Sequence, residues 1–117
     1  MLPTEHRLKS ERDFATIAKS RKSAFAKLLG VKMRENHLPH SRFGVSVGLK
    51  VHKRAVKRNL VKRRIREIIR KTLPNIKPGY DVLVMAFASS VNAEFPAIQA
   101  DVMSCLKKLG ILVPPKP

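Results

Sequence analysis

Acidic residues are scarce in this sequence, and the few present are scattered. Glu5, Glu11, Asp13, Glu35, Glu67, Asp81, Glu94 and Asp101 are all of them, eight against twenty-five Lys and Arg. Nucleases built of protein alone commonly gather carboxylates around metal ions, and no two of these acids sit at a helical or strand spacing that builds such a pocket. Cysteine is scarcer still. The single thiol, Cys105, excludes an internal disulfide, and its place on an apolar helical stripe makes it a buried, inert group. The histidines, His6, His37, His40 and His52, match no zinc-ligand spacing. No Walker-type glycine loop is present. Gly44 and Gly48 lie in and just after a strand pattern, where strand packing accounts for them. No Ser/His/Asp set can be assembled. These absences point away from bond-breaking by the protein alone.

Long apolar runs are missing too. None approaches the ~20 residues of a membrane span, so no membrane partner is expected. The start, Met1-Leu2-Pro3-Thr4-Glu5, lacks the basic-then-apolar layout of a secretory signal. Acids in the first predicted helix also argue against a transit peptide. A bacterial or organellar interior fits, and the sequence leaves the two open.

What the chain has in excess is positive charge. The formal net charge is +17 over 117 residues, with 44% apolar content. That apolar share is ordinary for a globular protein. The length predicts one domain, 1–117, with a radius of gyration of roughly 13 Å. Self-repulsion at this net charge opposes compaction and is best tolerated beside a polyanion. Nucleic acid is the expected partner, RNA in particular.

The charge is ordered. From Lys50 to Lys71, eleven of twenty-two positions are Lys or Arg, with one acid, Glu67. Val61, Ile65, Ile68 and Ile69 interrupt them at helical spacing, within roughly a 100° stripe. Asn59, Lys62, Arg63, Arg66 and Arg70 fall together on the far side. One helix can therefore bury an apolar face and present a cationic one to phosphates, which Arg grips bidentately and Lys meets as a point charge. The competing explanation is a solvated amphipathic helix. The clustering and the total charge weigh against it.

The remaining elements follow from pattern. Ser10-Glu11-Arg12-Asp13 reads as a capping box with Ser10 as N-cap. Phe14, Ile17 and Ala18 then share one face of a short helix ending near Ser20 to Ser23. Ala24 to Met33 reads as a strand with Phe25, Leu29, Val31 and Met33 on one side. Asn36 to Ser41 is a loop. Arg42 to Val47 alternates, with Phe43, Val45 and Val47 opposite Arg42, Gly44 and Ser46. The short loop between these strands predicts an antiparallel pair. The basic helix starts near Arg54 or Ala55 and stops before Pro74. Lys77-Pro78-Gly79-Tyr80 predicts a type II turn with Gly79 at positive φ. Asp81 to Phe87 is apolar on both faces, as a covered strand is. Asn92 is the expected N-cap of a last helix with the stripe Phe95, Ile98, Val102, Cys105, Leu106 and Leu109, and Pro96 must lie in its first turn. The tail 113–117 is expected to be loose. The predicted class is α+β, a single α-β-β-α-β-α sandwich with helices packed on a small sheet.

Arg42-Phe43-Gly44-Val45-Ser46-Val47, followed by Lys53-Arg54-Ala55-Val56-Lys57-Arg58-Asn59-Leu60-Val61-Lys62-Arg63-Arg64-Ile65-Arg66-Glu67, closely resembles the bacterial ribonuclease P protein subunit. The family hallmark is an Arg-Asn-Arg helix followed by Ile-Lys-Arg and a further Arg. Arg7-Leu8-Lys9, Asp13-Phe14 and Asp81-Val82-Leu83-Val84-Met85-Ala86 also fit, in the right order over almost the whole chain. There are departures. Leu60 stands where the family usually has Arg, and Leu49 where Lys is common. Ala18 occupies a place often aromatic, and Phe87 one often basic.

The resemblance implies a fold like the second domain of ribosomal protein S5, with a left-handed β-α-β crossover; general rules favour the right-handed form. It implies that the protein binds a large catalytic RNA and the 5′ leader of precursor tRNA. The RNA hydrolyses the phosphodiester with Mg²⁺, in the bacterial cytoplasm, and the free protein is expected to be monomeric. On these terms Arg58, Asn59, Lys62, Arg63, Arg66 and Arg70 belong to the catalytic RNA, with Lys50, Lys53 and Arg54 on phosphates near the active centre. Phe14 is assigned to the leader cleft, where a ring can stack on an unpaired base; a core anchor is the other reading. Arg58, near the apolar edge, either reaches past the helix N-terminus or packs its stem there. No catalytic residue is expected in the protein, and metal positions on it stay open. Two rivals remain at this point: a structural or ribosomal RNA-binding protein, which shares the fold, and a self-sufficient nuclease, which the scattered acids oppose.

Overall fold

The computed structural model of the chain describes residues 6–8 and 11–113. Its elements are α1 (Glu11–Ala18), β1 (Ser23–Phe25), β2 (Leu29–Glu35), β3 (Arg42–Ser46), α2 (Ala55–Thr72), β4 (Tyr80–Ala86) and α3 (Phe95–Lys108). Short 3-10 turns at Leu73–Asn75 and Ala88–Ser90 follow α2 and β4. The radius of gyration, 13.3 Å, is that of one domain.

The strands make one sheet in the order β1-β2-β4-β3. Strand alternation sorts its two faces. Leu29, Val31, Met33, Phe43, Val45, Val82 and Val84 look toward α2 and α3, meeting Val61, Ile65, Ile68, Ile69, Ile98, Val102, Cys105 and Leu106 in the main core. Fully burying each such aliphatic side chain contributes about 1.5–3 kcal/mol. Burial also pushes the Cys105 thiol above its ordinary range, in keeping with an inert core group. The opposite sheet face carries α1, whose Ile17 and Phe14 pack with Leu8, Leu83 and Met85.

The α+β class holds, and it is the class of the basic helix packed on a small sheet. Several details differ from the sequence expectation. The single strand drawn over Ala24 to Met33 is a hairpin, turned where the Ala26 amide donates to the Leu29 carbonyl at 2.9 Å. This adds a strand, giving α-β-β-β-α-β-α. The turn also resets the alternation. Phe25 pairs with Gly30 and Ala24 with Val31, so Phe25 lies on the face opposite Leu29 and Val31. Second, β2 and β3 are not neighbours. β4 lies between them, antiparallel to β2 and parallel to β3. The central position goes to the strand with apolar residues on both faces, Val82, Leu83 and Val84, because both its faces are covered. The parallel β3–α2–β4 crossover follows.

Third, the last helix starts at Phe95, with Glu94 as its N-cap, rather than after Asn92. Capping by Asn92 would put Pro96 at the fourth helical position, where a missing N–H forfeits a helical bond. Starting at Phe95 places it within the first turn, where none is lost. Both ends of the basic helix agree with expectation, and Gly79 has φ 94° in its turn. α3 closes on Gly110, φ 76°, with the Ile111 amide on Leu106 O and the Gly110 amide on Lys107 O. That is the Schellman pattern, for which glycine is the favoured residue. The proposed cap Ser10 lies outside the described residues. α1 itself ends at Ala18, before the expected Ser20, whose hydroxyl instead donates to Met33 O at 2.6 Å.

Asp13, expected as the capping-box acid, faces the sheet. Its carboxylate lies 3.3 Å from Arg34 Nη2 and 3.6 Å from Arg42 Nη1. Both arginines also hold Asp81, which has 0% exposure. Arg42 donates to it at 2.8 and 2.7 Å, Arg34 at 3.1 and 3.3 Å, and Asn36 Nδ2 at 2.9 Å. Burial pushes the Asp81 carboxyl up, but the bonds from Arg42, Asn36 and Arg34 outweigh it and hold it below the usual carboxylate range. A folded-state pKa below the unfolded one means the unfolded chain binds the extra proton. The resulting stability is present above about pH 4 and is lost as pH falls through the folded-state value. Asp81→Asn is expected to cost about 3 kcal/mol at pH 7, the low end for breaking a buried pair, since both arginines keep some contact with water. Urea unfolding at pH 7 and pH 3 checks this: the gap between wild type and variant should shrink at the lower pH.

Candidate nucleic-acid interface

α2 is eighteen residues long, about 27 Å at 1.5 Å per residue. Val61, Ile65, Ile68, Ile69 and Thr72 are buried, the stripe expected plus one residue. The Thr72 hydroxyl, inside that stripe, bonds back to Ile68 O at 2.7 Å. On the far side Asn59, Arg63 and Arg70 are exposed, with Lys62 and Arg66 half-buried at the edge nearest the sheet. Lys50, Lys53 and Arg54 are exposed in the segment leading into the helix.

Two of the nine predicted contact residues are engaged within the chain. Arg58 Nη1 donates to His52 O at 2.9 Å and Lys53 O at 2.8 Å. It therefore reaches past the helix N-terminus and ties down the segment carrying Lys50, Lys53 and Arg54. Arg70 forms a two-pronged pair with Glu67, Nε to Oε2 at 3.0 Å and Nη2 to Oε1 at 2.5 Å. The Arg70 bond holds the Glu67 carboxyl below its ordinary range. Arg70 thus arrives at any phosphate already paired with an anion. Lys50, Lys53, Arg54, Asn59, Lys62, Arg63 and Arg66 make no side-chain hydrogen bond or ion pair with a described residue. Of the departures, Leu49 is 72% exposed and Leu60 half-buried. Leu49 precedes the helix and Leu60 lies on it, so each is a single neutral side chain where the family usually carries charge.

The cationic edge of α2 borders a cleft. Lys62 and Arg66 line a cavity of about 440 Å³ together with Arg7, Leu8, Phe14, Phe43, Gly44 and Val45. A second cavity, about 320 Å³, continues from it between Arg7, Arg63, Arg66 and Glu67. Phe14 has two sets of neighbours. Its ring packs with the Leu8, Ile17 and Leu83 cluster and also lines the cleft. It lies so close to Gly44 that a Cβ there would sit 2.5 Å from Phe14 Cε1. Glycine at 44 is what lets the ring lie on the strand.

Arg7 was given no role by the sequence, although it stands in the Arg7-Leu8-Lys9 run. The structure brings it to both cavities by bridging residue 7 to Phe43, with the Leu8 amide on Phe43 O at 2.8 Å. No periodicity in so short a segment signals this. Arg64, also on the basic helix, is turned the other way and donates to Ala93 O at 3.2 Å, fastening α2 to the approach to α3.

A family model for ribonuclease P matches residues 2–110. The chain belongs to the ribonuclease P protein family. It is 38% identical over 118 residues to the ribonuclease P protein component of Synechococcus sp. (strain JA-2-3B'a(2-13)), covering 97% of this chain and 88% of that protein. It is 37% identical over 107 residues to the component from Clostridioides difficile (strain 630), covering 91% and 93%. The solved ribonuclease P protein from Staphylococcus aureus superposes with a TM-score of 0.81 at 29% identity, covering 99% of each chain. The one from Thermotoga maritima gives 0.79 at 31%, covering 87% and 96%. The resemblance seen in the basic helix therefore extends over the fold, and the reading as an unrelated structural RNA-binding protein is set aside. The chain is a component of the enzyme that processes tRNA. No helix among the described residues is long and apolar enough to cross a membrane.

Arg63 and Arg66 both stand clear of the apolar stripe. Their joint replacement by Ala is expected to leave the helical circular dichroism and the unfolding midpoint near wild type, within about 0.5 kcal/mol per site. Affinity for the ribonuclease P RNA should fall. Loss of helical signal in the double variant would reverse the assignment of faces.

Proposed function

We propose that α2 and the segment before it bind the catalytic RNA of ribonuclease P, while the adjoining cleft holds the 5′ leader of precursor tRNA. The observation that carries this is the double position of Lys62 and Arg66. They belong to the cationic face of α2 and also to the wall of the Phe14 cleft. An RNA lying along α2 and a single strand lying in the cleft would share that wall. Two polyanions held side by side repel each other, and a cationic partition between them reduces the repulsion.

In this reading the protein binds and positions, and the RNA carries the chemistry. Mg²⁺ bound to the RNA would supply the nucleophile and stabilise the leaving oxygen. Among the described residues no three His, Cys, Asp or Glu side chains gather as a metal site. The buried carboxylate, Asp81, is held by arginines. The donors among the described residues therefore do not fit a protein-held catalytic metal. Arg58 fixes the approach to α2, Asn59, Arg63 and the pre-helix cations meet the RNA, and Arg7 lies where the cleft turns toward α2. The expected setting is the bacterial cytoplasm, with the free protein monomeric.

The test is cleavage of precursor tRNA with and without a bacterial ribonuclease P RNA. The protein alone should leave the substrate intact and should stimulate the RNA at low Mg²⁺. Robust cleavage by RNA-free protein would falsify this division of labour. Binding to the catalytic RNA should also be steeply salt-dependent. With about six cations meeting phosphates, log K against log salt should slope at roughly −4 for single-stranded-like sites.

Phe14→Ala separates the ring's two duties. Losing its packing should cost about 2 kcal/mol, less than the 3–5 of a fully buried ring. At a temperature where the variant is folded, affinity for precursor tRNA should drop by a further 1–3 kcal/mol or so, with mature tRNA little affected. Equal losses for both tRNAs would remove Phe14 from the leader site.

A further inference from the structure

The sheet face that carries α1 has three rows of side chains running across its strands. Arg34, Asp81 and Arg42 form the charged row. Lys32, Leu83 and Gly44 form the next, partly covered by Phe14 and Ile17. The third row is Phe25, Gly30, Met85 and Ser46, paired in that order across β1, β2, β4 and β3. Phe25 is 54% exposed and Met85 half-buried, while Ser46 is exposed.

Two rings lie against the glycine of this row. A Cβ on Gly30 would lie 2.6 Å from Cδ1 of Phe25 and 3.3 Å from Cζ of Phe87. The rings are thus seated on backbone, and one of them offers much of its surface to water. We propose that Phe25 and Phe87 over Gly30 form a second stacking site for an unpaired base of the RNA leader, on the same sheet face as Phe14.

Three features favour a single-stranded nucleic acid as the occupant. The surface is aromatic, and base–aromatic stacking tolerates any sequence because every base has a π-face. Its surroundings are cationic. Lys32 lies on the same face one row away, and Lys22 and Lys27 are exposed at either end of β1. No acid stands in the row. Finally, the site continues from the cleft. Gly44 and Gly30 are separated by two strand spacings and one two-residue step, roughly 12 Å from strand geometry. A leader emerging from the Phe14 cleft reaches Phe25 within a few nucleotides. Ala18, at the end of α1, is small and exposed, and the Lys32 ammonium donates to its carbonyl at 2.6 Å, which places that cation between the cleft and Phe25.

This site rests on the leader-binding reading above, and one experiment tests the two separately. The full-length protein is reconstituted with a bacterial ribonuclease P RNA. Affinity is measured for precursor tRNAs whose leaders are lengthened one nucleotide at a time, and for leaders abasic at single positions. Phe25→Ala should weaken binding about fivefold or more, the loss of one base–aromatic stack. The loss should appear only once the leader passes a threshold length and should vanish when one particular leader base is removed. Phe25→Leu, which keeps an apolar cover over Gly30, should behave like Ala, and Phe25→Tyr should restore binding. A loss that persists on every abasic leader, or full affinity in Phe25→Leu, would make the ring a structural cover and overturn the proposal. So would a free protein that sediments as a dimer in wild type and a monomer in Phe25→Ala. If wild-type affinity does not depend on leader length at all, the leader-binding reading itself fails.

Discussion

A carboxylate with no exposed surface holds two arginines from the two strands beside it, and the cleft depends on that arrangement. Asp81 sits on the central strand; Arg34 and Arg42 reach it from either side. In a protein with this excess of positive charge, two arginines so close together would otherwise repel. Asp81 fixes them, and they in turn face Asp13 of α1. α1 is only eight residues long, too short to be stable alone in water. Its position comes from Ile17 in the small cluster and from Asp13 on the arginines. Phe14 follows Asp13 directly, so the ring's placement against Gly44 is a consequence of the same contact.

The cations divide by what they touch. Arg34 and Arg42 hold the sheet to α1, Arg64 holds α2 to the loop before α3, and Arg58 holds the segment before α2. Arg70 is matched by Glu67. Lys71 lies over the Phe95 ring at 5.8 Å, and the other positive side chains of α2 and its approach make no hydrogen bond or ion pair with a described residue. A count of Lys and Arg therefore overstates the surface available to RNA. Long-range attraction follows the total charge, whereas the proposed contact face is the smaller set that includes Asn59, Lys62, Arg63 and Arg66.

Much of this was legible in the sequence, for particular reasons. The stripe Val61, Ile65, Ile68, Ile69 is a helical period with nothing to compete with it, and its opposite face followed. Pro74 and Gly79 mark conformations few other residues supply. The hairpin at Ala26 to Leu28 was not legible, because no Gly, Pro or Asn marks the turn and the apolar residues run on through it. That hid the face of Phe25, and with it the pairing over Gly30. The position of β4 between β2 and β3 was hidden as well, since strand order depends on the crossover and not on loop length. Without it, Arg34, Arg42 and Asp81 are three separated residues in the chain. Arg58 was placed on the correct edge of the helix by angle alone, but its bonds to His52 and Lys53 depend on the path of a loop that angle does not give.

The site lies at the β3 end of the sheet because that edge has to be covered. β3 is an outer strand with one neighbour, and an open edge invites pairing with other chains. Residues 6–8 cover it. The Leu8 amide bonds Phe43 O, and His6 Nδ1 lies 2.8 Å from Ser41 O. Covering the edge brings Arg7 to the mouth of the cleft and Leu8 beneath Phe14. The crossover after β3 brings α2 over the other sheet face, with Lys62 and Arg66 along the same border. An edge strand between two helices on opposite faces thus gathers a ring, a glycine and three cations into one groove. The feature that protects the fold from pairing with other chains also builds the groove proposed to take up RNA.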